Sequence, residues 1–188
     1  YTPSELDVVR IPLGTADLMI AADLPVGCAP GVLERNAKSA AVIGNLDLAA
    51  TAAFKQDPRL PIDAALHRRT IEHATDATRS AWLHGVRIAE TLFGHAQAMN
   101  TLLLGLAWQR GLVPVGHAAL LRAIELNGAE IELNRRAFLW GRILADHPEL
   151  AAEIVRGDVT QPEAMPRSIE ELVAARADHL VQYQSNDY

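Results

Sequence analysis

Asn100, Gln109, Glu125, Asn134 and Arg142 are the polar side chains that stand out in largely apolar helical stretches, and Asp23 and Cys28 stand out in a loop. A buried amide must find hydrogen-bond partners or cost roughly 1–3 kcal/mol. Asn100 and Asn134 are therefore expected either to tie their helices to a neighbouring loop's backbone or to line a ligand pocket or subunit contact. Gln109, Glu125 and Arg142 lie near helix ends, where a polar group serves either as a cap or solvated surface or as part of a site. Asp23 and Cys28 belong to DLPVGCAPG, the segment leaving the carboxyl end of an expected strand. Ligands in open α/β sheets bind at such ends, so this loop is a candidate site, while a lone thiol there also suits simple burial.

None of these residues forms a self-sufficient catalytic set. The chain carries no G-x-G-x-x-G, Walker loop, G-x-S-x-G elbow or H-E-x-x-H. Its histidines pair at best as His67 with Glu72, His73 with Asp76 and His84 with Glu90, ordinary helix-surface spacings that predict no metal site. His95 and His117 fall at expected helix starts, in surface or capping roles. Cys28 is the single cysteine, so no internal disulfide, structural zinc or iron–sulfur cluster can be built from thiols of this chain alone. A reducing cytoplasm is the expected setting.

The elements that must position these groups come from composition and period. With 188 residues, 49% apolar, the chain can bury a real core. Its formal charge of −6 and scattered basic residues argue against nucleic acid. The most apolar stretch, Ala98 to Trp108, falls short of the roughly 20 residues of a membrane span. Apolar runs bounded by Gly, Pro, Asp and Asn predict strands over Leu6–Leu13, Ala16–Ala22 and Ser39–Asn45. A helix over Pro30–Lys38 between the last two makes a βαβ unit, hence an α/β fold with a mostly parallel, Rossmann-like sheet. The remainder reads as a helical C-terminal half. Helices are expected over Arg79–Phe93, capped by Asp76 or Thr78, over Ala96–Arg110, packed on the sheet, and over His117–Asn127 and Ala129–Ala145. ELAAEIVRG and SIEELVAARADHLVQYQ predict further short helices, with QPEAMPRS as a linker. The domain is placed at residues 1–158, and residues 159–188 are assigned to the linker and the start of a following region.

One stretch poses a question of continuity. AIELNGAEIELNRRAFLWGR repeats Ile-Glu-Leu-Asn at a spacing of seven, which on one unbroken helix would align Ile124, Asn127, Ile131, Asn134 and Phe138 in a single stripe. Asn127-Gly128 is, however, a strong helix stop, because glycine adopts the left-handed C′ conformation freely. Two helices are predicted, broken at Gly128, with Asn134 turned inward.

Four stretches, taken in order, carry a resemblance. ADLMIAADLPVGCAPGVL, VIGNLDLAATAAFKQDP, DATRSAWLHGVRIAETLFGHAQAMNTLLLGLAWQRGLVP and RAIELNGAEIELNRRAFLWGR together resemble the gamma-type domain of 2-oxoacid:ferredoxin oxidoreductases. The similarity is closest to the long fused indolepyruvate ferredoxin oxidoreductases of bacteria, and it covers Leu6 to Arg142. The helix from Asn100 to Gln109 followed by Gly-Leu-Val-Pro is its most distinctive part, together with the Glu-Leu-Asn-Gly turn followed by Asn134, Phe138 and Arg142.

The resemblance implies an enzyme that oxidatively decarboxylates an arylpyruvate with thiamine diphosphate. It passes electrons through 4Fe–4S clusters to ferredoxin and the acyl group to coenzyme A. The chain lacks the Gly-Asp-Gly thiamine diphosphate motif, a cluster-binding cysteine set and the glycine-rich βα turn that should open the domain. It is therefore expected to be a fragment that binds no cofactor by itself and carries no catalytic residue. Its expected partners are other domains or subunits of the same oxidoreductase, with association into a homo-oligomer. Two other readings stay open: a domain of an NAD(P)-dependent dehydrogenase whose fingerprint lies elsewhere, and a pure assembly module whose apolar helix docks on a partner.

Overall fold

The computed structural model describes residues 10–48 and 63–157. Three strands, β1 (Ala16–Ala21), β2 (Asn36–Asn45) and β3 (Ala81–Leu83), form one sheet in that order, and both pairings are parallel. Helices dominate the described residues beyond β3, so the fold is α/β with a helical C-terminal half. Ala40 to Asn45 are buried without alternation, as a central parallel strand covered on both faces requires. No helix among the described residues is long and apolar enough to cross a membrane.

Between β1 and β2 the chain makes two single turns, α1 (Leu24–Gly27) and α2 (Pro30–Leu33), where one helix to Lys38 is expected. Side chains end α2 early. Asn36 Nδ2 donates to the carbonyls of Val32 and Leu33 at 3.1 and 3.3 Å, and Arg35 Nε donates to Gly31 O at 2.9 Å. With those carbonyls satisfied, Asn36 already enters β2, three residues ahead of the expected Ser39. Of the strand expected over Leu6–Leu13, residues 6–9 lie outside the described residues and residues 10–13 are not strand.

After α3 (Ala64–Ala74), the helix expected from Arg79 is a second departure. Asp76 does cap, but it caps the short 3₁₀ turn Ala77–Arg79, accepting from Thr78 N–H at 2.9 Å. Ser80 Oγ accepts from Val42 N–H, and Arg79 Nη1 donates to Ser39 O, so this segment is fastened to β2. Ala81–Leu83 then pairs as β3, and helix α4 starts only at Gly85 and runs to Phe93. A three-residue strand is too short to show a period of two against the helical pattern around it.

The last four helices are α5 (Ala98–Gln109), α6 (His117–Asn127), α7 (Ile131–Asp146) and α8 (Glu149–Arg156). Helix α5 packs on the sheet as expected, and its Leu102, Leu103 and Leu106 share the main core with Ile43 of β2, Ile88 of α4 and Leu144 of α7. A smaller core of Met19, Ala21, Leu24, Val42 and Ile71 covers the other face. Helices α5 and α7 run in the same direction, since Thr101 meets Asn134 near their starts and Gln109 meets Arg142 near their ends. They also touch backbone to backbone: a Cβ on Gly105 would stand 2.1 Å from Phe138 O, and one on Gly141 would stand 2.0 Å from Leu102 O.

The repeated Ile-Glu-Leu-Asn is divided between two helices. Gly128 takes φ +72° and caps α6, and Glu130 at φ +44° leads into α7, so no continuous seam forms. The helix expected in residues 168–184 and the linker before it lie outside the described residues.

Candidate functional site

The carboxyl edge of the sheet gathers a polar cluster. Asn45, 2% exposed at the end of β2, binds all around: Nδ2 donates to Ala22 O beyond β1 and to Asp47 O, while Oδ1 accepts from the N–H groups of Asp47 and Gly85. One buried amide thus joins the exits of all three strands. Asp47, two residues on, has a side chain 10% exposed. Its Oδ1 accepts from His84 Nδ1 at 2.8 Å and from Arg87 Nε at 3.0 Å, and its Oδ2 accepts from Arg87 N–H at 3.0 Å.

This geometry fixes the histidine. With Nδ1 paired to the Asp47 carboxylate, Nε2 is the other polar atom of the His84 ring. His84 also lines an apolar groove of about 500 Å³ between β3, the carboxyl ends of α5 and α7, and α8. The arrangement can offer a ring nitrogen of fixed orientation to a hydrogen-bonding partner. It does not suit a pyrophosphate: Asp47 takes an N–H at the start of α4, and at the start of α1 Asp23 accepts from Val26 N–H while Pro25 has none to offer.

The residues singled out in sequence are distributed elsewhere. Asp23 is the exposed cap of α1. Cys28 is half-buried, donates Sγ–H to His67 O at 3.3 Å, and burial raises its thiol pKa, which makes it a packing residue rather than a thiolate. Asn100 is exposed, which corrects its expected place on an apolar face: the buried side of α5 falls on Met99, Leu102, Leu103 and Leu106 instead. Asn134 does turn inward. Its Oδ1 accepts from the Thr101 hydroxyl at 2.7 Å and its Nδ2 donates to Ala129 O at 3.0 Å. Glu125 receives Arg122 and Arg135, and these hydrogen bonds, Arg122's first, hold its carboxyl below the ordinary range while joining α6 to α7.

Gln109 and Arg142 are brought together. Arg142 Nε donates to Gln109 Oε1 at 2.9 Å, and Gln109 Nε2 donates to Asp146 at 3.0 Å. The guanidinium lies over the Trp108 ring, 5.0 Å from its centroid, and Nη1 donates to His117 Nε2 at 3.4 Å. His117 is no surface cap: its ring packs against those of Trp108 and Phe138, and burial, then the Arg142 charge, lowers its pKa. This network locks the α5–α6–α7 junction and leaves its acceptors engaged.

The strand-edge pair is invisible to the sequence reading. Asp47 and His84 are 37 residues apart, and spacing alone pairs His84 with Glu90; the one signal the sequence holds is an Asn-x-Asp just past a strand end. Among the described residues no group of three or more His, Cys, Asp or Glu could hold a metal ion. Set against family models, curated proteins and solved structures, the chain matches none.

Proposed function

We propose that this chain is the larger part of a non-catalytic gamma-type domain of an indolepyruvate, or related arylpyruvate, ferredoxin oxidoreductase. The observation that carries the reading is a convergence. The two stretches of most distinctive resemblance, Asn100 to Gln109 and Glu125 to Arg142, supply α5 and α7, which meet through Gly105 and Gly141 and through the Gln109–Arg142 hydrogen bond. Residues remote in sequence that are distinctive for one family are here one interface. In such an enzyme thiamine diphosphate and 4Fe–4S clusters supply decarboxylation and electron transfer to ferredoxin, with coenzyme A as acyl acceptor. Cys28, with its thiol pKa raised by burial and its Sγ–H given to a backbone carbonyl, does not suit ligation of a cluster. The role of this domain is then to present a rigid surface to the catalytic parts of the enzyme.

Anaerobic reconstitution of the purified chain with iron, sulfide and thiamine diphosphate tests the reading. The expected outcome is a colourless protein that neither decarboxylates indolepyruvate nor reduces a viologen dye. Stoichiometric cluster assembly would overturn it, and saturable NAD(P) binding would favour the dehydrogenase reading instead.

A further inference from the structure

We infer that α6 is an acid-released helix, docked on α5 and α7 while the His117 ring is neutral and freed from its amino-terminal end when that ring gains a proton. This concerns the conformation of the domain itself and does not depend on the function proposed above.

Helix α6 is lightly held. None of its residues is buried: Leu120, Leu121 and Ile124 are half-buried, and Leu126 is exposed. At its carboxyl end Glu125 receives Arg135 of α7. At its amino end the polar ties are Trp108 Nε1 donating to Val115 O at 2.7 Å and Arg142 Nη1 donating to His117 Nε2 at 3.4 Å. A pivot separates α6 from α7, made by Gly128 at φ +72° and by Glu130 at φ +44°, the one non-glycine residue of positive φ among the described residues. Backbone of this kind gathers at switch regions.

The tie at His117 is the one a proton breaks. A guanidinium only donates, so Nε2 must accept, and the docked ring is neutral with its hydrogen on Nδ1. A proton on Nε2 removes that acceptor and sets a second positive charge against Arg142, beside the rings of Trp108 and Phe138. It also puts the charge in the first turn of α6, the end where the helix dipole disfavours a cation. The Trp108 face, which attracts cations, is already taken by Arg142.

No neighbouring charge compensates. Helix α5 carries no charged residue, Asp146, one turn beyond Arg142 on α7, is engaged by Gln109, and Arg122 and Glu125 of α6 are paired with each other. Protonation therefore favours the undocked helix. The Glu125 carboxyl, held below the ordinary range by Arg122 and then Arg135, keeps its bridge to α7 in mild acid, so α6 stays tethered at its carboxyl end.

The test is amide hydrogen exchange of the full 188-residue chain at about pH 7.5 and about pH 5, each rate divided by the intrinsic rate at that pH. After that correction the α6 amides are expected to exchange about fivefold faster at the lower pH, the factor that one lost hydrogen bond sets, with α5 and α7 unchanged. His117→Phe keeps a ring in the aromatic cluster without a titrating group, and His117→Gln keeps an acceptor for Arg142. In each variant the corrected α6 rate should be the same at both pH values. An increase shared equally by α5 and α7 is loss of the whole fold and overturns the inference. So does an α6 rate that does not change with pH in the unaltered chain, or an increase that persists in either variant.

Discussion

Gly105 lies directly against the carbonyl of Phe138, so close that a Cβ at residue 105 would stand 2.1 Å from the oxygen. The same relation holds in reverse, with Gly141 on Leu102 O at 2.0 Å. Two glycines in helix interiors each lose roughly 1 kcal/mol of helix propensity relative to alanine. The approach they permit outweighs that loss, because it lets the leucines of α5 and Trp140, Ile143 and Leu144 of α7 close over one core. Gly105→Ala and Gly141→Ala should therefore each destabilise by roughly 1–3 kcal/mol, the overpacking range, despite the better helix former. Gly128→Ala, strained only by its positive φ, should cost about 1 kcal/mol. Urea unfolding of the three variants ranks them, and stabilisation by either helix-interior alanine would contradict the packing described.

Asn134 and Asn127 occupy equivalent places in the sequence repeat and different places in the structure. Asn134 joins Thr101 to the backbone of Ala129, whereas Asn127 is exposed at the end of α6. Asn134→Leu should cost roughly 1–3 kcal/mol, and Asn127→Leu less than about 0.5 kcal/mol. Thermal unfolding of both, side by side, makes the comparison, and equal losses would contradict it.

His117 predicts a pH dependence. Burial, and then the Arg142 guanidinium, hold its folded pKa below the ordinary value of 6.5. The unfolded chain therefore binds its proton first, and stability from this residue is fully present above about pH 6.5 and falls as the pH drops from there toward the folded pKa. Measured between about pH 7.5 and about pH 5, the loss of stability should be smaller in His117→Phe than in the unaltered chain. An undiminished slope would show that the ring titrates freely.

Cys28 should react slowly. With its thiol pKa raised by burial and Sγ–H donated to His67 O, carboxamidomethylation at about pH 8 is expected to run about tenfold slower than in the urea-unfolded chain. A faster reaction in the folded chain would point to a thiolate.

How far the sequence reads depends on what each element rests on. The parallel β1–β2 pair, the buried helix α5 and the break at Gly128 are legible because apolar runs, helical period and a glycine stop are local signals. β3 is not, since Ala81–Leu83 becomes a strand only by pairing with Ile43–Asn45. Asn134 is readable from the face it shares with Phe138, but Asn100 is not, because α5, apolar nearly all round, gives little hint of which narrow side faces solvent. The Asp47–His84 pair depends on two strand ends meeting across 37 residues, and the ring packing of His117 on a loop that folds back so that Trp108 Nε1 reaches Val115 O. No periodicity records either.

The most direct measurement of the central claim is made on the intact natural gene product that contains these residues, purified anaerobically. Reduction of a viologen dye is followed with indolepyruvate, coenzyme A and thiamine diphosphate, alongside iron analysis. The expected result is activity that requires all three additions, stoichiometric iron held outside residues 1–188, and loss of that activity on Gly105→Val, which separates α5 from α7. An iron-free product without this activity, or one that turns over NAD(P) instead, would contradict it.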